Sequence, residues 1–169
     1  MDNKITTTEP INMPQLWRLQ TRTNAKIKIA EYCRKEKIIA IGWSLKDEHL
    51  EAEGLTSKQI SRNEIDCFEK YCEKVKQYNI FGGKVNENVT RFSKEIKNND
   101  LIYIRDNGIY YLGRKTKDSE LIYNGSTEAL ENDASIQITK IEWVAVGDES
   151  DVPGDVATSF YRRKNITKN

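Results

Sequence analysis

The chain has 169 residues, 37% hydrophobic and 31% charged, with 27 basic against 26 acidic side chains and a net charge of +1. That length suits one domain, which buries roughly 70% of its unfolded surface and needs no staples to hold a core. A charge balance this even excludes a uniformly basic surface, so any face for a polyanion has to be a local patch.

Residues 1–13 are polar, include Thr6-Thr7-Thr8 and read as a flexible arm before Pro14. The domain proper is expected over 14–169. Leu16-Trp17-Arg18-Leu19-Gln20-Thr21 alternates as a first strand, and Asn24 is placed to cap a helix from Ala25 to about Lys37. Ile27, Ala30 and Cys33 form its apolar stripe. Ile38 to Leu45 is a nearly continuous apolar run, the pattern of a strand covered on both faces. Lys46 to Lys58 is polar and acidic and reads as a surface loop.

Ser61-Arg62-Asn63-Glu64 has capping-box spacing, and Ile65, Phe68, Cys72 and Val75 recur at helical spacing, which predicts a helix from Ser61 to about Tyr78. Phe81-Gly82-Gly83 breaks it. Val89, Phe92 and Ile96 then mark a shorter helix. Leu101 to Arg114 holds two apolar runs around Asp106-Asn107-Gly108, the signature of a hairpin whose central turn residues take positive φ. Lys115 to Asp133 reads as an irregular excursion, Ile136 to Val146 as one long alternating strand, and Val152-Pro153-Gly154 as a turn leading towards the basic Arg162-Arg163-Lys164.

The predicted fold is therefore mixed α+β, a small curved β-barrel of about five to six strands flanked by helices, because the helices interrupt the strands without regular alternation.

Cys33, Cys67 and Cys72 form no C-x-x-C pair, and their odd number fits reduced thiols in a cytoplasmic protein. A single histidine, His49, leaves no basis for a zinc site or a histidine-based triad, so neither metal nor cofactor is expected. No apolar stretch approaches about 18 residues, and no membrane partner is expected. The phosphate-binding pattern G-x-x-x-x-G-K-S/T is absent from the sequence.

Leu16-Trp17-Arg18-Leu19, Ile41-Gly42-Trp43-Ser44 after one helix, and the hairpin segments Asn99 to Tyr103 and Gly108 to Gly113 together resemble the PUA-like superfamily, its EVE and YTH branches most. Ile141 to Gly147 with Val152-Pro153-Gly154-Asp155-Val156 and Ser159-Phe160 is similar to the closing segment of PUA-like domains in bacterial restriction and defence proteins. The resemblance implies a non-enzymatic nucleic-acid reader that flips a modified, methylated base into an aromatic pocket. It implies the specificity module of a McrBC-like modification-dependent restriction system, with DNA as partner and a fused or separate NTPase motor and nuclease. On it, Trp43 with Ser44 forms a pocket wall, Gln20, Thr21 and Asn24 supply polar contacts after the first strand, and Tyr123 stands where YTH domains have a second cage tryptophan. Trp17 is a further pocket candidate, while Trp143, inside an alternating strand, reads as structural. Arg18, Arg22, Arg105, Arg114, Arg162, Arg163 and Lys164 are candidates for the nucleic-acid backbone.

Three other functions fit the same residues. An RNA reader with the same pocket differs only in contacts to the 2′-hydroxyl and in strand geometry. An ASCH-like nucleoside amidohydrolase would draw on Thr23 and Lys26, and a protein-interaction domain would use no pocket at all.

Overall fold

The computed structural model describes residues 13–21, 28–56, 58–161 and 166–168. Arg22, Thr23, Asn24, Lys26, Arg162, Arg163 and Lys164 lie outside them. In chain order the strands are β1 (Leu16–Leu19), β2 (Ile39–Ile41), β3 (Leu101–Asp106), β4 (Ile109–Arg114), β5 (Leu121–Tyr123), β6 (Ile136–Ile138), β7 (Glu142–Gly147) and β8 (Ile166–Lys168). The helices are α1 (Ile29–Lys35), α2 (Asp47–Ala52), α3 (Phe68–Gln77), α4 (Glu87–Glu95), α5 (Thr127–Glu131) and α6 (Gly154–Ser159). The architecture is mixed α+β. Among the described residues no helix is long and apolar enough to cross a membrane.

The strands pair as two ladders and not as one barrel: five strands in the order β7-β4-β3-β1-β8, and three in the order β2-β6-β5. Among the described residues neither ladder closes on itself. The predicted hairpin forms the middle of the larger sheet, with Asn107 and Gly108 both at positive φ in the turn (49° and 84°), and β1 lies parallel to β3 with Trp17 opposite Ile102. Side chains alternate across β3. Ile102 and Ile104 face the main core, whereas Tyr103 joins Tyr110, Val152, Val156, Ala157 and Phe160 in a smaller one under α6. Both faces of the sheet are thus covered.

Asp100 ties β1 to the segment before β3. Its carboxylate is buried and accepts from the Gln15 amide (2.9 Å), the Trp17 indole N–H (2.8 Å) and the Lys97 amide (2.9 Å). Trp143 folds back over β4 and donates its indole N–H to the Ile38 carbonyl (3.2 Å), a structural position as its strand setting predicts. Its ring leaves no room at Gly113, where a Cβ would come 2.7 Å from Trp143 Cζ3 and 2.8 Å from Ile141 Cγ2. Gly113→Ala is expected to lower stability by about 1–3 kcal/mol, the usual cost of overpacking. A urea midpoint within error of the wild type would show that the ring moves aside freely.

Several elements differ from the sequence expectation. Strand β2 stops at Ile41, short of Leu45, because Trp43 takes φ 66° and a left-handed residue cannot extend a ladder. The acidic stretch expected as a loop contains α2, whose Asp47 and Glu48 suit a helix N-terminus and whose Leu50 is fully buried. Ser61 makes no side-chain cap; Arg62–Glu64 is one 3-10 turn, and α3 starts at Phe68 after the extended Cys67. The excursion after the hairpin holds β5 and α5, the latter capped by Ser126 accepting from the Ala129 amide. The long final strand is two strands in two sheets, parted at Lys140 (φ 55°). Helix α4 matches its predicted stripe, with Val89, Phe92 and Ile96 all buried.

Candidate nucleic-acid interface

Strand β2 is buried along its length and delivers the chain to Gly42-Trp43-Ser44. Gly42 is pressed against Asp133, whose Oδ2 would lie 2.7 Å from any Cβ there. Trp43 follows in the left-handed region, half-buried, with its carbonyl accepting a hydrogen bond from the Tyr71 hydroxyl (3.1 Å). Ser44 is buried; its Oγ accepts from the Ser135 amide (3.3 Å) and its carbonyl accepts from His49 Nδ1 (2.7 Å). That bond places the His49 proton on Nδ1. The indole of Trp43 meets Phe81 edge-on (centroids 5.9 Å, 85°), and Phe81 in turn meets His49 (5.1 Å, 72°). Phe81 is itself at φ 53°.

Behind this cluster lies a column of rings, buried at Tyr71 and Tyr123 and half-buried at Phe68. Tyr123 stacks on Tyr71 at 5.0 Å, and Tyr71 on Phe68 at 5.8 Å. Burial pushes the Tyr71 hydroxyl well above its ordinary range, so it is neutral and donates to Trp43. Burial likewise raises Tyr123, partly offset by the Leu45 amide that donates to its oxygen at 2.9 Å. With 3% of its surface exposed, Tyr123 supports the column and offers no face to a base.

The other tryptophan candidate, Trp17, is 1% exposed and held by Asp100, so it packs in the core. Gln20 and Thr21 stand elsewhere. They line an open groove of about 300 Å3 at the hairpin tip with Arg105, Asn107, Gly108 and Phe160. Among the described residues no hydrogen bond or ring contact joins either of them to Trp43.

Of the basic candidates, Arg18 is fully buried, with its guanidinium 5.6 Å from the Phe160 ring centre and Nη1 donating to Gln20 Oε1 at 3.2 Å. Arg114 is exposed and paired with Glu142 across the β4–β7 ladder. Arg105 lines the groove. Sequence reasoning passed over Tyr71, Phe81 and Arg34, which donates to Asp106 at 2.7 Å and lies 4.2 Å from the Tyr111 ring centre. Tyr71 carried a signal, standing three residues after Phe68 and four before Val75 on the same helical stripe. Among the described residues no three His, Cys, Asp or Glu side chains converge as a metal site would need.

No protein-family model, curated protein or solved structure matches the chain.

Proposed function

We propose that the chain is a PUA-like reader domain of the EVE and YTH kind, which holds a methylated base of DNA against Trp43 and serves as the specificity module of a modification-dependent restriction or defence system. A separate or fused motor and nuclease would act on the bound site. The observation that carries this reading is the backbone of Trp43. A bulky residue at φ 66° is a strained outlier that costs about 1–3 kcal/mol and persists only where its surroundings over-determine it, and such residues gather at ligand clamps. Here Gly42 against Asp133, the Tyr71 hydroxyl and the edge of Phe81 all constrain it, while the indole stays half-buried.

On this reading the ring beside Trp43 is Phe81 and not Tyr123. Stacking on an aromatic side chain supplies about 1–3 kcal/mol per base, against a few kcal/mol to flip it. One extra methyl group buried adds about 0.8 kcal/mol, only about fourfold in affinity. Strong discrimination therefore needs hydrogen bonds to the base edge.

The test is binding by fluorescence anisotropy at fixed salt, with DNA and RNA strands unmodified or carrying N6-methyladenine, 5-methylcytosine or 5-hydroxymethylcytosine. Wild type is expected to prefer one modified DNA base, and Trp43→Ala to lose at least about tenfold on that strand and little on the others. Preference for a modified RNA would move the reading to RNA. Equal affinity for every strand, unchanged in Trp43→Ala, would remove it.

A further inference from the structure

We propose that the groove at the tip of the β3–β4 hairpin is an anion site built on Arg105 and, if the chain is a nucleic-acid reader, that it takes one backbone phosphate away from the base pocket. Arg105 stands apart from the four arginines that form ion pairs among the described residues. Arg34, Arg62, Arg91 and Arg114 each pair with a carboxylate: Asp106, Asp47, Glu87 and Glu142. Arg105 has no carboxylate or hydrogen-bond acceptor for its guanidinium among the described residues, and its Nε is buried without an acceptor. It is held by ring faces instead, 5.4 Å from the Tyr110 centroid and 5.8 Å from that of Tyr161. Ring contacts fix a guanidinium in place without consuming its N–H donors or its charge.

The nearby carboxylates are already engaged. Asp106, the next residue, binds Arg34 at 2.7 Å, and Glu149 accepts from the Tyr161 hydroxyl at 2.6 Å. Neither carboxylate takes a hydrogen bond from the Arg105 guanidinium, so its N–H donors stay available, although the Glu149 charge lies close enough to be felt by Tyr110 and Tyr161. Around it the lining is polar: Gln20 and Thr21 from the end of β1, Asn107 and Gly108 from the turn. The Gln20 and Thr21 side chains donate there only over long distances, to the Phe160 and Arg105 carbonyls at 3.4 Å each; Gln20 keeps a second N–H free, and the Thr21 hydroxyl can turn from its long bond to a better acceptor. Nothing lies within 4 Å of the place a Cβ would take at Gly108, which leaves the turn face open.

The groove suits a phosphate and not a base. The one aromatic residue in its lining, Phe160, is 8% exposed and meets Tyr110 edge-on at 5.3 Å, so the lining itself offers no open ring face for stacking. An unpaired guanidinium among hydroxyl and amide groups matches a tetrahedral oxyanion.

Two measurements on the full chain test this. In the first, the amide resonances of Asn107 and Gly108 are followed by NMR while inorganic phosphate, and separately a thymidine hexanucleotide, is added to wild type, Arg105→Gln and Arg105→Lys. Shifts in wild type that vanish in Arg105→Gln are expected with both ligands. In the second, anisotropy is measured over a salt series. Arg105→Gln is expected to weaken modified and unmodified single strands alike, by about tenfold, and to lower the slope of log affinity on log salt by about 0.7, with Arg105→Lys keeping the slope. Trp43→Ala should do the reverse, changing the modified-to-unmodified ratio and not the slope. If wild type binds no oligonucleotide, the reader function fails while the phosphate titration still decides the anion site. No phosphate shifts, or a folded Arg105→Gln with unchanged slope and affinity, would overturn the proposal; should Arg105→Gln unfold, wild type and Arg105→Lys decide it.

Discussion

Asp100→Ala is expected to cost about 3–5 kcal/mol of folding free energy, out of the roughly 5–15 kcal/mol that a domain of this kind has. The carboxylate is 3% exposed and takes three donors at once, two backbone amides and the Trp17 indole. Alanine leaves all three without this acceptor, the Trp17 indole in a buried setting and the two amides in part-buried ones, and each loss where water does not enter costs about 1–3 kcal/mol. The effect spreads because the donors belong to separate parts of the chain. Gln15 precedes β1, Lys97 follows α4, and Asp100 itself precedes β3, with its carbonyl accepting from the Lys115 amide at 3.0 Å after β4. Asp100→Asn keeps one acceptor oxygen but presents N–H groups to N–H donors, so it should fall between wild type and alanine. Urea unfolding followed by tryptophan emission gives the answer, and a loss under about 1 kcal/mol in Asp100→Ala would mean that water replaces the carboxylate.

What the sequence makes legible is local. The Asn107-Gly108 turn and the α4 stripe were readable because each needs only its own few residues: positive φ at two turn positions, and apolar side chains three to four apart. Features that depend on distant partners were not. The run from Ile136 to Val146 keeps one period across Lys140, so nothing in it signals that its halves join different sheets. Helix α2 has a single buried anchor, Leu50, among charged neighbours, which erases the amphipathic signal. The left-handed Trp43 follows from its setting next to Gly42, which is pressed on Asp133, and under the Tyr71 hydroxyl; Asp133 and Tyr71 lie 90 and 28 positions away from Trp43 in the chain. Distance along the chain also hid the split of the candidate site, since Gln20 and Thr21 are held at the hairpin by Phe160 and Arg105.

Stability is expected to fall in two steps as pH rises into the alkaline range. Burial pushes the Cys33 thiol from its ordinary 9.0 up to about 12, and pushes the Tyr71 hydroxyl well above 10.0. Both groups therefore keep their protons in the folded chain after the unfolded chain has released them. Where the native state binds more protons, unfolding becomes easier as pH rises, by about 1.4 kcal/mol per pH unit for each group. Cys33 leads between pH 9 and 10, with the Cys72 thiol, also raised by burial, adding to it. Above pH 10 Tyr71 joins and the slope steepens, with Tyr123, Tyr32, Tyr103 and Tyr110 adding in the same direction and Lys115, lowered by burial, opposing them. Below pH 9 neither Cys33 nor Tyr71 contributes. Cys33→Ala should lower the first slope and Tyr71→Phe the second, each read from urea midpoints across the series. A profile level to pH 11, or slopes left unchanged by both substitutions, would mean that these two groups ionise in place. Tyr71→Phe carries a second consequence, because the hydroxyl that stays protonated is also the donor to the Trp43 carbonyl. If that bond sets the indole, the variant loses base selectivity at neutral pH, where its loss of proton linkage has no effect on stability.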